Sequence, residues 1–179
     1  IIQLSSPDEK ITASIPIRSF DPKEIKDEYL LMCTRKGTIK KIALSEFANP
    51  RRGGIIAIKL EDGDILMDVK KIEKNPEVVI ATKKGIAIRF KEQDVRAIGR
   101  AGQGVRGISL EKDDEVIGME VFSPEDVFVS VAENGYGKRT EVGKYRLQKR
   151  GGKGVINMQT SERNGNVIYI GKANEGQIM

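Results

Sequence analysis

Gln148-Lys149-Arg150-Gly151-Gly152-Lys153-Gly154, followed by the apolar run Val155-Ile156-Asn157-Met158, is the stretch from which the fold is read. Its seven residues hold three cations, three glycines and an amide. Glycine allows positive φ and close backbone approach, while arginine and lysine supply charge that matches phosphate. Such a loop suits a polyanion. Its weight comes from recurrence. Upstream stand Gly99-Arg100-Ala101-Gly102-Gln103-Gly104-Val105-Arg106-Gly107-Ile108 and Pro50-Arg51-Arg52-Gly53-Gly54-Ile55-Ile56-Ala57-Ile58. Gly54, Gly104 and Gly154 lie 50 residues apart, each leading into a strand-like run. Three such loops at one interval mark a repeated structural unit.

The repeat persists on a second landmark. Leu31-Met32-Cys33-Thr34-Arg35-Lys36-Gly37 matches Val79-Ile80-Ala81-Thr82-Lys83-Lys84-Gly85 and Val129-Ser130-Val131-Ala132-Glu133-Asn134-Gly135. The β-rich segments 38–43, 86–90 and 136–140 follow these glycines, so each pair of runs predicts a hairpin. Weakly helical pieces come next at 44–48, 92–97 and 142–147. Beyond the basic loop lie third runs at 55–60, 105–110 and 155–160, acidic or polar turns, and fourth runs at 65–72, 115–122 and 166–172. About four short strands in roughly 50 residues is the size of a propeller-type blade. The expected fold is therefore all-β, a propeller-like repeat in a partial or open ring. One repeat domain spans 1–179. It divides into a partial unit at 1–27, units at 28–75, 76–125 and 126–175, and the start of another at 176–179.

The totals narrow the function. The chain has 179 residues and net charge +5, which favours an anionic partner. No apolar run approaches the roughly 18 residues of a membrane span, so no membrane partner is expected. No signal peptide is visible, and the first residue is Ile1, so the chain reads as a fragment of a larger protein. The single cysteine, Cys33, sits in an apolar run and reads as a buried hydrophobe in a reducing compartment. Histidine is absent, which removes Ser-His-Asp and Cys-His nucleophile activation and the usual zinc sites. No catalytic residue and no metal ligand is assigned.

Charge follows the repeat. Segments 35–59, 83–106 and 138–153 carry 21 of the 31 Lys and Arg but only four of the 26 Asp and Glu. Equivalent positions of repeated units fall on one face or rim, so the cations are expected to form a curved basic stripe. Lys40, Lys41, Arg51, Arg52, Arg89, Lys91, Arg96, Arg100, Arg106, Lys138, Arg139, Lys144, Arg146, Lys149, Arg150 and Lys153 are the expected phosphate contacts. Aromatic residues are few and lie mostly in apolar runs, which argues against base stacking and single strands. Duplex DNA held through its phosphates is the expected partner. Gly102-Gln103-Gly104-Val105-Arg106-Gly107 fits G-x-G-x-x-G, but a β-like run follows where a dinucleotide site needs a helix. The acidic turns at 61–64 and 113–115 lack the ligand spacing of a calcium loop and read as solvated turns. A propeller that docks acidic proteins is the rival reading. It predicts clustered hot spots on one face rather than an even spread.

These residues resemble a known family, the C-terminal domain of the A subunit of bacterial DNA gyrase. Gln148, Lys149, Arg150, Gly151, Gly152, Lys153 and Gly154 resemble its gyrase-A box. Gly37-Thr38-Ile39-Lys40-Lys41, Gly104-Val105-Arg106-Gly107-Ile108, Asn134-Gly135-Tyr136-Gly137-Lys138-Arg139-Thr140 and Glu162-Arg163-Asn164-Gly165 are similar to other family stretches. The resemblance implies a β-pinwheel whose neighbouring blades exchange strands. It also implies a rim that wraps DNA in a positive sense, so that the ATP-dependent type II topoisomerase introduces negative supercoils. The catalytic tyrosine and the ATPase lie outside this chain. The domain would carry no cofactor of its own, the holoenzyme using ATP and Mg2+. The partners implied are duplex DNA, the rest of the gyrase A subunit, and the B subunit, in a cytoplasmic heterotetramer of two A and two B subunits. In the family the box marks the first blade. Here it falls in what resembles the fifth, so its cations are assigned to the general rim. The A subunit of topoisomerase IV is the alternative resemblance, and the regular repeats favour gyrase.

Overall fold

The computed structural model describes residues 10–21, 23–51, 53–72, 75–123 and 125–173. In chain order the strands are β1 (Tyr29–Thr34), β2 (Thr38–Ala43), β3 (Leu66–Ile72), β4 (Glu77–Thr82), β5 (Ile86–Lys91) and β6 (Val105–Arg106). They continue with β7 (Val116–Phe122), β8 (Val127–Ala132), β9 (Gly137–Glu141), β10 (Leu147–Gln148), β11 (Val155–Ile156) and β12 (Val167–Ala173). Short 3-10 turns at Leu44–Phe47, Glu92–Asp94 and Val142–Lys144 stand where weak helices were expected.

Each unit starts with an antiparallel hairpin, β1–β2, β4–β5 or β8–β9. The turns pass through Gly37, Gly85 and Gly135, whose φ values of 84°, 80° and 81° suit glycine. The fourth strand then pairs with the first strand of its own unit: β3 on β1, β7 on β4, β12 on β8. All three of these pairings slip register once near the hairpin turn, as a β-bulge does. The acidic turns join the hairpin turns. Asp64 accepts the Lys36 and Ile65 amides at 2.9 Å each, and Asp114 accepts those of Lys84 and Glu115 at 2.9 Å each. These carboxylates cap backbone rather than stand free in solvent.

The third run is the exchanged strand that the family resemblance implies. It pairs with the unit before its own. β6 covers the edge of β2, and β11 covers the edge of β5, where β10 also pairs in parallel. The resulting sheets are ordered β3-β1-β2-β6 and β7-β4-β5-β10 with β11 on β5, while β12-β8-β9 ends on β9. None closes on itself. Exchange shortens these strands to two residues. Residues 55–60, the first such run, form no strand among the described residues.

The repeated hairpins bury one apolar stripe after another. Leu31, Ile39, Val78, Ile80, Ile88, Phe90, Ile108 and Met119 share a cluster built from the first two units. Phe122, Phe128 and Tyr145 form an edge-to-face aromatic stack in the next cluster. Cys33 is fully buried in the first. Burial pushes its thiol well above the ordinary range, and Asp68 and Asp64 add to the effect. That removes thiolate character, as expected of an inert core cysteine. β3 packs on β7 and β7 on β12, which gathers the fourth strands on one side and leaves the exchanged strands on the opposite edge. The expected partial unit at 1–27 shows no strand among its described residues, and the expected start at 176–179 lies outside them.

Candidate nucleic-acid interface

The basic loops sit where one unit hands a strand to the previous one, and the chain geometry there explains their glycines. A Cβ added at Gly104 would lie 2.5 Å from the Ile39 carbonyl oxygen, and one at Gly154 would lie 2.6 Å from that of Ala87. No side chain fits either approach. The hand-over is then fixed by main-chain bonds. The Gly107 amide donates to the Gly37 carbonyl, and the Asn157 amide donates to that of Gly85, both at 2.8 Å. The box-like loop is tied back in the same way. The Ser109 amide donates to the Gly152 carbonyl at 2.9 Å, and the Gly151 amide to that of Gly107 at 2.6 Å. Gln148 is half-buried in β10, its Nε2 enclosed without a hydrogen-bond partner.

The structure describes fifteen of the sixteen expected contacts, three turned inward, one intermediate and eleven exposed. Three turn inward. Lys40 is fully buried, and its ammonium donates to the Ala57 and Arg100 carbonyls at 2.9 and 2.8 Å. Burial lowers its pKa from the ordinary lysine value. Lys41 forms an ion pair with buried Glu92 and lies 4.4 Å from the Tyr29 ring centroid. Arg89 pairs with Glu77 at 2.6 Å and donates to the Val142 and Tyr145 carbonyls of the next unit. Their donors are taken up inside the protein, so these residues clamp units together and present no charge to a partner. Arg150 is intermediate: half-buried, it donates to the Asp94 and Arg106 carbonyls at 2.8 and 3.1 Å.

The other described ones face solvent. Arg51, Lys91, Arg96, Arg106, Arg139, Arg146, Lys149 and Lys153 are exposed. Arg100 shares its charge with Glu46 at 3.4 Å and Lys144 with Glu141 at 3.3 Å, both at exposed positions where such pairs hold weakly. Exposed Lys138 donates to the Asn157 carbonyl at 2.7 Å. Arg52 lies outside the described residues. Two consecutive loops also form a groove of about 570 Å³, lined by Arg51, Gly54, Ile55, Ile56, Lys59, Arg100 and Ala101. Lys59 joins the cations there without having been singled out in the sequence. Its signal was its place in the run after Gly54. Among the described residues no His, Cys, Asp or Glu cluster is placed to hold a metal ion. Among the same residues no helix is long and apolar enough to cross a membrane.

Comparison with known proteins adds the lineage. The family model for the DNA gyrase C-terminal domain, β-propeller, matches residues 28–73, 76–123 and 126–174. The chain is 43% identical over 164 residues to the A subunit of DNA gyrase from Haloquadratum walsbyi, covering 90% of this chain and 19% of that protein. It is 42% identical to the A subunit of DNA gyrase from Salmonella typhimurium, covering 89% and 18%. The chain thus spans under a fifth of the length of these relatives. Among solved structures, the DNA gyrase A C-terminal domain superposes with a TM-score of 0.75 at 32% identity, covering 83% of this chain and 50% of that one. The C-terminal domain of DNA topoisomerase IV superposes with a TM-score of 0.85 at 25% identity, covering 94% and 52%.

Proposed function

The chain belongs to the DNA gyrase C-terminal β-propeller family, and from that membership we propose that it is a non-catalytic module that binds and bends duplex DNA around its basic edge. The observation that carries this reading is the even supply of cations. Each of the three basic segments contributes seven Lys and Arg, and most of those named above are exposed. Phosphates repeat along a duplex regardless of sequence, so a partner of that kind is met by charge repeated at a constant interval. Bending 20–30 base pairs by 40–90° costs on the order of 1–6 kcal/mol. Many distributed contacts offset such a cost, as in other wrapping proteins.

In this reading the module serves the A subunit of an ATP-dependent type II topoisomerase in the cytoplasm, alongside the rest of that polypeptide and the B subunit. ATP and Mg2+ would be used elsewhere in that assembly. The gyrase assignment is favoured over topoisomerase IV by sequence identity, which tracks lineage. The higher TM-score to the topoisomerase IV domain reflects the arrangement of units. The test is binding to relaxed circular duplex DNA across a salt series, with topoisomerase I added to trap writhe. The expected result is a log–log salt slope near −0.9 per phosphate contact together with a shift in linking number. No binding at low salt would overturn the reading and favour a protein-docking propeller.

A further inference from the structure

The junction between the second and third units lies inside the described chain, and the loop of residues 149–154 crosses it. We propose that Arg150, in that loop, is a positioning residue for Arg106 of the preceding unit. The phosphate grip is then assembled at a junction: Arg106 comes from one unit, Lys149 and Lys153 from the next. This role rests on the DNA reading above.

Arg150 is half-buried, and its guanidinium spans two carbonyls of the second unit. Nε donates to Asp94 at 2.8 Å and Nη1 to Arg106 at 3.1 Å. The rest of the loop brackets the same stretch. The Gly151 amide donates to the Gly107 carbonyl at 2.6 Å. Ser109 donates through its amide to the Gly152 carbonyl at 2.9 Å and through Oγ to that of Gly151 at 2.8 Å. A Cβ added at Gly151 would lie 3.8 Å from both Cβ and Cγ of Arg106, so the stem of that arginine lies across the glycine. Arg106 is exposed, and its guanidinium has no hydrogen-bond or ion-pair partner among the described residues. Lys149 and Lys153, also exposed, stand two residues either side of Gly151, and two residues reach at most about 7 Å. Three cations from two units thus share one short stretch of surface.

The preceding junction repeats the reach of Arg150. Arg100 and Arg150 each stand four residues before a repeat glycine, Gly104 or Gly154. Glu46 and Asp94 are each the third residue of a 3-10 turn. Arg100 meets the Glu46 carboxylate at 3.4 Å, as Arg150 meets the Asp94 carbonyl. An arginine at this position directs its donors to the unit before its own. At the place of Arg106 the first unit has Ile56, so of the two junctions only the later one sets a cation under the bracket. The planar fork of arginine suits two acceptors at a fixed spacing, whereas a lysine ammonium is a point charge.

Duplex DNA binding across a salt series tests the role, comparing the parent chain with Arg106→Gln, Arg150→Lys and the double variant. Arg150→Lys keeps the charge and loses the fork. Each single variant and the double should flatten the log–log salt slope by the same amount, about 0.9, because all three lose the one contact at Arg106. A double variant flattened by about 1.8, with the affinity losses multiplying, overturns the role, since Arg150 then holds a phosphate of its own. So does parental affinity in Arg150→Lys. A parent chain that binds no duplex overturns the DNA reading and this role together. Ser109→Ala gives an answer even if Arg150→Lys misfolds, because it removes one hydrogen bond to the loop and no charge. At a parental melting temperature it should bind duplex more weakly than the parent, and on the Arg106→Gln background it should make no further difference. Parental affinity in Ser109→Ala overturns the bracket.

Discussion

At the scale of single residues, one letter of the alphabet does two jobs. Arg89 and Lys91 are two residues apart in β5, yet Arg89 is 8% exposed and engages Glu77 and two carbonyls of the next unit, while Lys91 faces solvent. Removing one partner of an enclosed ion pair leaves the other charge uncompensated. Arg89→Met should therefore lower unfolding free energy by about 3–5 kcal/mol in urea titrations. Lys91→Ala should leave it within about 0.5 kcal/mol and act on DNA affinity instead. Equal stability of the two variants would refute the clamp role. Composition announced that these segments are basic. It did not announce which cations point inward, because that depends on carbonyls contributed by the following unit, some 50 residues away in sequence. The inward turn of Lys40 and Lys41 was hidden for the same reason. Their neighbours at Arg100 and Glu92 are adjacent only after folding.

At the scale of elements, the hairpins were legible in full. Two extended runs joined by a glycine-containing turn are a local signal, and β1–β2, β4–β5 and β8–β9 follow it. The third strand was legible from the residues only as a run, and its exchange between units came from the family resemblance, since no local pattern says which unit an extended segment joins. Its glycines were the clue. Gly104→Ala and Gly154→Ala each press a methyl group onto a carbonyl oxygen at 2.5 and 2.6 Å. Each should lose about 1–3 kcal/mol and melt earlier by calorimetry. Gly154→Ala should lose the more, because its φ of 80° adds backbone strain. Gly99→Ala, where nothing lies within 4 Å, is the control and should melt close to the parent. Comparable losses at all three positions would mean that close approach is not what the junction glycines provide.

At the scale of the whole molecule, charge is distributed rather than focused. The basic segments carry a large positive balance, while the remainder of the chain holds 22 of the 26 acidic residues. For a distributed phosphate grip, no pair of cations should dominate. Double alanine variants at Arg51 and Lys59, at Arg96 and Arg106, or at Lys149 and Lys153 should each weaken duplex binding by a similar factor. Each should also flatten the log–log salt slope by about 1.8. Loss of all binding through one pair alone would point to a hot spot, as protein-docking surfaces have.

Strand exchange also puts the assembly out of step with its own synthesis. β2 ends at Ala43, but the strand that covers it ends at Arg106. On a ribosome moving at roughly 5–20 residues per second, that cover arrives about 3–13 s later. Until then the nascent hairpin displays a bare edge, the kind that recruits other chains. Lys40 and Lys41 stand on that edge while it waits, still hydrated, where edge lysines deter aberrant pairing. When the following unit emerges, Lys40 gains the Arg100 carbonyl and Lys41 the Glu92 carboxylate. Stalled nascent chains lacking residues 97–110 should thus leave β2 open to protease, and chains extended past Leu110 should protect it. The same ammonium groups guard the edge first and fasten it afterwards.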